Sequence, residues 1–354
     1  GLRGRLMEVP NVRIIEASAG DRGRWNAFAL DAPAASVFHR YEWREVIARA
    51  YGHEAHYLLA EEADRVAGVL PLVFIRSRLF GRALVSLPFA DYGGIVAVSA
   101  PVTRALLERA LALGREHRAE YLQLRHREPV AEVEGVPGDK LTMLLALEHD
   151  PRGIWDRLPS ERRNRIRKAD RAGLAGRVVG AEEFEPFYRV LAENMRDIGS
   201  PVHSRAFFLA VLDALGPSAS VVLVEREGEA IGAALVLGFG DTVVVPWVSS
   251  LRRHFRLNPN MVLYWTAIEH ACRAGYRTLD FGRSSPGTGT FEFKRQWGAV
   301  PHPLAWSSFP LTGHGVPTFS GEGLKERLMV ECWKRLPIWV STRLGPRLRG
   351  LIPA

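Results

Sequence analysis

A chain of 354 residues can bury a large core, and ordinary domain sizes favour two domains over one. With 47% apolar and 24% charged residues, no low-complexity tract and no apolar run near the ~20 residues of a bilayer span, the composition excludes a disordered chain and a helical membrane protein. The net charge of +8 rests on 47 basic residues of which only five are lysine (Lys140, Lys168, Lys294, Lys325, Lys334). It predicts salt-dependent attraction to an anionic partner, although a GC-rich coding bias yields the same arginine excess.

The opening stretch "GLRGRLMEVPNVRII" has basic residues but no apolar core with a small-residue cleavage site, so no signal peptide is expected. Two cysteines, Cys272 and Cys332, make neither a disulfide framework nor a cysteine zinc site. A reducing, cytoplasmic setting is the expectation.

Along the chain, "YEWREVIARAYG" (41–52) predicts a helix, and "HYLLAEEADRVAGVLPLVFI" (56–75) reads as two strands about a polar turn. "ALVSLPF" (83–89) follows, then a helix from near Pro101 with Val102, Leu106, Ala110 and Leu113 on one stripe, and a strand at "YLQL" (121–124). After helices over 182–199 and 204–216 the plan recurs. "SVVLVEREGEAIGAALVLGF" (220–239) is again strand, turn, strand; "TVVVPWVSS" (242–250), a helix over about 261–273 and a strand at "TLDF" (278–281) complete it. Gly68 and Gly232 occupy matching places after the two turns. The expectation is an α+β chain of two tandem modules, 8–150 and 151–314, each a mixed sheet flanked by helices, with a basic tail over 315–354.

At the junction, "LPSERRNRIRKADRAG" (158–173) predicts a helix capped by Ser160, with Arg163, Arg167 and Arg171 on one stripe and Arg162, Arg165 and Lys168 nearby. Like charges four apart weaken an isolated helix. The segment is either a solvated linker or a contact for tRNA, nucleotide or lipid phosphate. "HEAH" (53–56) sits at the approach to a strand, where its two histidines point to opposite faces, and no metal site is expected. Neither a GxxxxGK[ST] phosphate loop nor a GxSxG elbow is present.

The final common strand runs into "LDFGRSSPGTGTFEFKRQWG" (279–298). On pattern alone this is a Pro-Gly hairpin, with Phe291 and Phe293 on one face of the second strand and Glu292 and Lys294 on the other, in solvent. The alternative is functional: an ammonium among aromatics beside a Gly-rich loop stabilises negative charge on a carbonyl or phosphate.

This segment, together with "RRNRIRKADRAGL", "LRRHFRLNPNMVLYWTAIEHACRAGY", "LFGRALVSLPFADYGG" and "CWKRLPIWVSTRLGPRLRGLIP", resembles the FemAB-like proteins, in the branch associated with PEP-CTERM/exosortase systems and exopolysaccharide production, over about residues 8–354. The resemblance implies two tandem GNAT-type modules and an enzyme that moves an aminoacyl group from aminoacyl-tRNA to a primary amine, with no metal and no bound cofactor. It makes Phe293 and Lys294 the pair that orients the donor and stabilises the reacting carbonyl, with Trp297-Gly298 standing in place of a Phe-Gly. It also places Asp91 and Tyr92 on the acceptor side with Trp297.

Donor phosphates are assigned to Arg283, to Arg162, Arg163, Arg167 and Lys168, and to Arg252, Arg253 and Asn260. Asp280 or Glu292 would relay the amine proton. Where GNAT enzymes that use acyl-CoA carry a glycine-rich pyrophosphate loop, "RRHFRLNPNM" (252–261) offers Asn258, Pro259 and Asn260, which disfavours acyl-CoA as donor in the second module. Two rival expectations stand beside the aminoacyl one: an acyl-CoA-dependent N-acetyltransferase acting on an amino sugar, and a non-catalytic adaptor of a polysaccharide or exosortase assembly. Residues 318–354 are basic and amphipathic, and either dock as a terminal helix on the protein itself or make a peripheral contact at the inner face of the membrane.

Overall fold

The computed structural model describes residues 12–77, 81–313, 315 and 324–353. The expectations for residues 1–11 and for most of 314–323 lie outside the described residues. In chain order, the first half comprises β1 (Arg13–Glu16), α1 (Arg22–Asp31), α2 (Trp43–Tyr51), β2 (Glu54–Glu62), β3 (Arg65–Ser77), β4 (Gly81–Val85), β5 (Val96–Ala97), α3 (Ala100–Glu116), β6 (Tyr121–His126) and β7 (Val136–Pro137). The second half begins with β8 (Leu141–Ala146), α4 (Pro151–Arg157), α5 (Ser160–Arg171), β9 (Ala175–Val179), α6 (Phe184–Asp197) and α7 (Arg205–Leu215). It continues through β10 (Ala219–Arg226), β11 (Glu229–Phe239), β12 (Thr242–Ser250), α8 (Pro259–Arg273), β13 (Thr278–Ser284), α9 (Gly289–Arg295), β14 (Val300–Pro303) and β15 (Ala305–Pro310), and ends in α10 (Leu324–Lys334) and α11 (Ile338–Leu351).

Two mixed sheets result, ordered β1-β2-β3-β4-β6-β15-β7, with β5 beside β3, and β14-β8-β13-β12-β11-β10-β9. Each has one parallel pair, β4 with β6 and β12 with β13, and antiparallel neighbours elsewhere. The repeat extends to matched irregularities. Ala60 pairs with Gly68 just before a register shift, and Val224 pairs with Gly232 just before another. Both glycines make room for the covering helix: a Cβ on Gly68 would press Leu106 and Val102 of α3 at 2.9 Å, and one on Gly232 would meet Leu263 of α8 at 3.3 Å.

The expected boundaries cut across the sheets. β8, placed in the first module by a cut at 150, lies between β13 and β14 of the second sheet; β15, placed in the second by a cut at 314, lies between β6 and β7 of the first. The modules therefore exchange a strand in each direction. Their cores are also continuous: α2 packs on α7, with Trp43 6.3 Å from Phe207 by ring centroid, and one apolar cluster runs from Val37 and Ile47 to Val211 and Leu237.

Two local expectations are corrected, and the alternative left open for the tail is decided over its described residues. Ser160 does not cap α5; Pro159 is the N-cap and Ser160 the first helical residue, so its side chain is placed past the position that reaches the free amides. "FEFKR" is helical rather than a hairpin strand, because Thr288 caps the helix by accepting from Phe291 N at 3.3 Å. The basic tail is docked on its own protein over its described residues: α11 packs on α6 and β3, His53 Nε2 donates to Gly350 O at 2.7 Å, and Arg196 Nη1 to Leu336 O at 3.1 Å. No helix among the described residues is long and apolar enough to cross a membrane.

Candidate active site

β13 sets the site. Its pairing with β12 holds from Thr242/Thr278 to Val244/Asp280 and then stops, although both strands continue, so the sheet parts in its middle. On its other side β13 bulges against β8 between Asp280 and Arg283, with Gly282 at φ +74°. A Cβ there would be strained and would lie 3.2 Å from Asp91 Oδ2. The bulge turns two consecutive carbonyls onto one cation: Lys294 Nζ donates to Gly282 O and to Arg283 O, each at 2.9 Å.

Lys294 comes from the last turn of α9 and is 4% exposed. An ammonium has three donors; the third finds no hydrogen-bond partner among the described residues. Asp280 beside it is 1% exposed. Its Oδ1 accepts from Gly282 N at 2.8 Å and from Thr142 Oγ1, while Oδ2 is buried without a partner. Burial, and then the charge of Asp91, pushes Asp280 up to about 8; burial brings Lys294 down to about 8 against the pull of the two aspartates. Near neutral pH the pair holds an ammonium and a protonated carboxyl, both close to the point of proton exchange.

The first module supplies the opposite wall. Asp91 Oδ1 pairs with Arg283 Nε at 2.7 Å, and Oδ2 accepts from Arg283 N at 3.2 Å. Asp91 lies in a loop in which Leu87 and Phe89 take positive φ (52° and 68°), which is rare for bulky residues. Trp306 on the exchanged β15 donates Nε1 to Asp91 O at 2.9 Å and lies beneath two guanidinium groups, Arg125 at 4.2 Å and Arg283 at 5.0 Å from its ring centroid. Arg125, fully buried, donates to Ala90 O at 3.0 Å and to Pro353 O at 2.5 Å, which fastens the end of the tail behind the site. Thr142 is on the other exchanged strand, so both exchanges contribute a residue.

Of the expected residues, Lys294, Asp280, Arg283 and Asp91 converge. Phe293 stands on the other side of α9, 5.4 Å from the Tyr264 ring and 5.7 Å from the Arg162 guanidinium. Arg162 is buried and contacts Met261 Sδ at 3.6 Å, so the basic helix α5 is joined to both α9 and the start of α8. Arg283 is held by Asp91 rather than free for phosphate. Arg163 is half-buried, Lys168 exposed, and Arg167 lies over Trp155 at 5.5 Å.

Beside α8, Arg252 is exposed, Arg253 is engaged with Glu193 and Glu229, and Asn260 Oδ1 accepts from Ser250 Oγ at 2.6 Å. Tyr92 packs on Phe38 and borders a cavity of about 240 Å³. Trp297 is buried and borders a groove of about 500 Å³ beside Pro159 and Arg295. Glu292 is paired with Arg295 at 2.7 Å on the outer side of α9 and stays outside the cluster. Thr142, Trp306 and Arg125 were not anticipated. Their only sequence signal is a lone polar or bulky residue within a strand-like run.

Residues 160–295 match the family described as an acetyltransferase (GNAT) domain. The solved structure of FemX superposes with a TM-score of 0.67 at 14% identity, over 84% of this chain and 97% of that one. A tandem GNAT protein from the clavulanic acid biosynthesis pathway gives 0.56 at 14% identity, over 86% and 100%. The fold is that of the tandem GNAT proteins. L-PGS from Bacillus licheniformis shares it, with a TM-score of 0.56 at 10% identity over 91% and 98%. A comparison with curated proteins by sequence finds no match. In GNAT terms the parted β12–β13 pair, α8 and α9 belong to the second module, within the matched segment.

Proposed function

We propose that the chain is an N-acyltransferase that moves an aminoacyl group from aminoacyl-tRNA to a primary amine of a cell-envelope, peptide or exopolysaccharide-related acceptor. The observation that carries this reading is the buried Lys294 ammonium, with one donor unused, beside Asp280 with one oxygen unpaired, where β12 and β13 part. The amine nitrogen attacks the ester carbonyl carbon and a tetrahedral oxyanion forms within reach of Lys294. Asp280, ionised, takes the proton from the attacking nitrogen; the ester C–O bond breaks, and the tRNA hydroxyl leaves with that proton.

Aminoacyl-tRNA is favoured over acyl-CoA by the start of α8. Asn258 at φ 61° and Pro259 stand there, and proline removes one of the amides that would cradle a pyrophosphate. The basic face of α5, joined to α9 through Arg162 and Phe293, gives an extended polyanion a surface to follow. The likeness to FemX and to L-PGS is in keeping with aminoacyl chemistry, and the exopolysaccharide setting rests on the sequence resemblance alone.

Lys294→Met tests the site. Transfer of a labelled amino acid from aminoacyl-tRNA to an amine should fall by roughly 10²–10³-fold, the usual loss for one oxyanion donor. The melting temperature and tRNA retention should stay near those of the wild type. Unchanged turnover would remove Lys294 from the reaction. Ribonuclease treatment should abolish transfer; activity that survives it and requires acetyl-CoA would instead support the amino-sugar acetyltransferase reading.

A further inference from the structure

Away from this site, the first module brings together four groups from β1, β2 and the end of α3. Strand alternation separates His53, which turns to the Gly350 carbonyl, from His56. The same alternation places Glu54 and His56 on one face of β2, and the C-cap of α3, His117, closes over them. His56 Nε2 lies 3.3 Å from Glu54 Oε1, and His117 Nδ1 lies 3.9 Å from Glu54 Oε2. One ligand atom from each of the three residues falls within 4.8 Å of the others.

The geometry points to a divalent transition-metal site, of the zinc class, formed by Glu54, His56 and His117. Three features argue for it independently. Two ligands on a tetrahedral zinc with bonds of about 2.0 Å stand about 3.3 Å apart; the His56–Glu54 spacing already has that value, and the others, at up to 4.8 Å, would close as the side chains turn onto the metal. His56 is 6% exposed, and its Nε2 is buried without a hydrogen-bond partner, aimed at Glu54 and His117. Its other nitrogen is committed: Nδ1 is 3.0 Å from Glu16 Oε1, the carboxylate–histidine arrangement that fixes the tautomer and leaves Nε2 as the metal-facing lone pair.

The position suits a cation for a further reason. His117 terminates a seventeen-residue helix, whose C-terminal end carries partial negative charge. Phe74, 5.1 Å from the His117 ring, forms an apolar side. Imidazole and carboxylate with no thiolate select zinc or a neighbouring divalent ion rather than calcium or magnesium. Bound there, the metal would tie the end of α3 to β2 and, through Glu16, to β1. The role is structural and does not depend on the proposed transfer reaction.

The test is zinc titration of tag-free, chelator-treated full-length protein against a chromophoric chelator, with circular dichroism as a check on folding. One equivalent of zinc should bind. Glu16→Gln should weaken it by roughly 10–100-fold, the usual effect of losing an orienting partner, and His117→Gln should abolish it. His53→Asn should leave it unchanged. The site is overturned if wild type takes up no zinc, or if folded His117→Gln binds as tightly as wild type.

Discussion

Asp280 is the residue whose surroundings work hardest against its charge. Its pKa rises from ~3.9 in an unfolded chain to about 8 in the fold. The stability held by its proton is therefore complete below pH 4 and is lost as pH rises through about 8. Asp280→Asn removes that slope. The melting temperature of the variant minus that of wild type should grow between pH 5 and about 8 and level off above it, as scanning calorimetry would show; a constant difference would contradict the assignment.

Turnover has the opposite requirement at the same place. Ionised Asp280 accumulates above about pH 8, while the Lys294 ammonium is lost above about pH 8, so kcat/KM should be bell-shaped with a maximum near 8. Asp280→Asn should lower it by roughly 10²–10⁴-fold and abolish the acid limb. From the sequence, Lys294 was conspicuous because lysine is scarce and because the surrounding motif resembles a known one. Its burial was not visible, since the carbonyls that receive it come from a bulge that no spacing reveals.

At the scale of elements, α9 decides where Lys294 points. Seven residues are too few for a helical period to show, and Pro286-Gly287 followed by alternating Phe291 and Phe293 imitates a hairpin. Thr288 is the distinguishing residue: its hydroxyl accepts from Phe291 N and donates to Ser285 O at 2.8 Å. Thr288→Ala should cost about 1 kcal/mol in urea unfolding and lower turnover beyond that loss, because the helix end that aims Lys294 is loosened. Equal activity at saturating substrate would show that α9 needs no cap. The longer elements were legible because each combined an apolar run or stripe with a clear stop, such as Gly275 at φ 85° after α8. The repeat was legible because Gly68 and Gly232 answer the same steric need in both modules.

At the scale of the molecule, the sequence repeat announced two modules but not their exchange of strands. "LTMLLA" reads as an apolar strand wherever it pairs, and nothing local in it names β13 as its neighbour. With a shared core and both exchanges, the chain should unfold in one calorimetric transition whose van't Hoff and calorimetric enthalpies agree. Residues 12–150 and 151–353 expressed separately should each be insoluble or unfolded. Two resolved transitions, or a folded half, would break the claim that the modules are one cooperative unit.

The exchange also bears on how the chain is made. The first sheet admits β15 between β6 and β7, so it stays incomplete until residue 310 has been synthesised, long after its other strands have left the ribosome. At 5–20 residues per second that interval is roughly 10–30 s. Throughout it β6 presents an unpaired edge, and the wall that carries Asp91 lacks Trp306. The nascent first half must be kept from pairing with other chains until its own late strand arrives, and the cluster around Lys294 and Asp91 forms as one of the last events of folding.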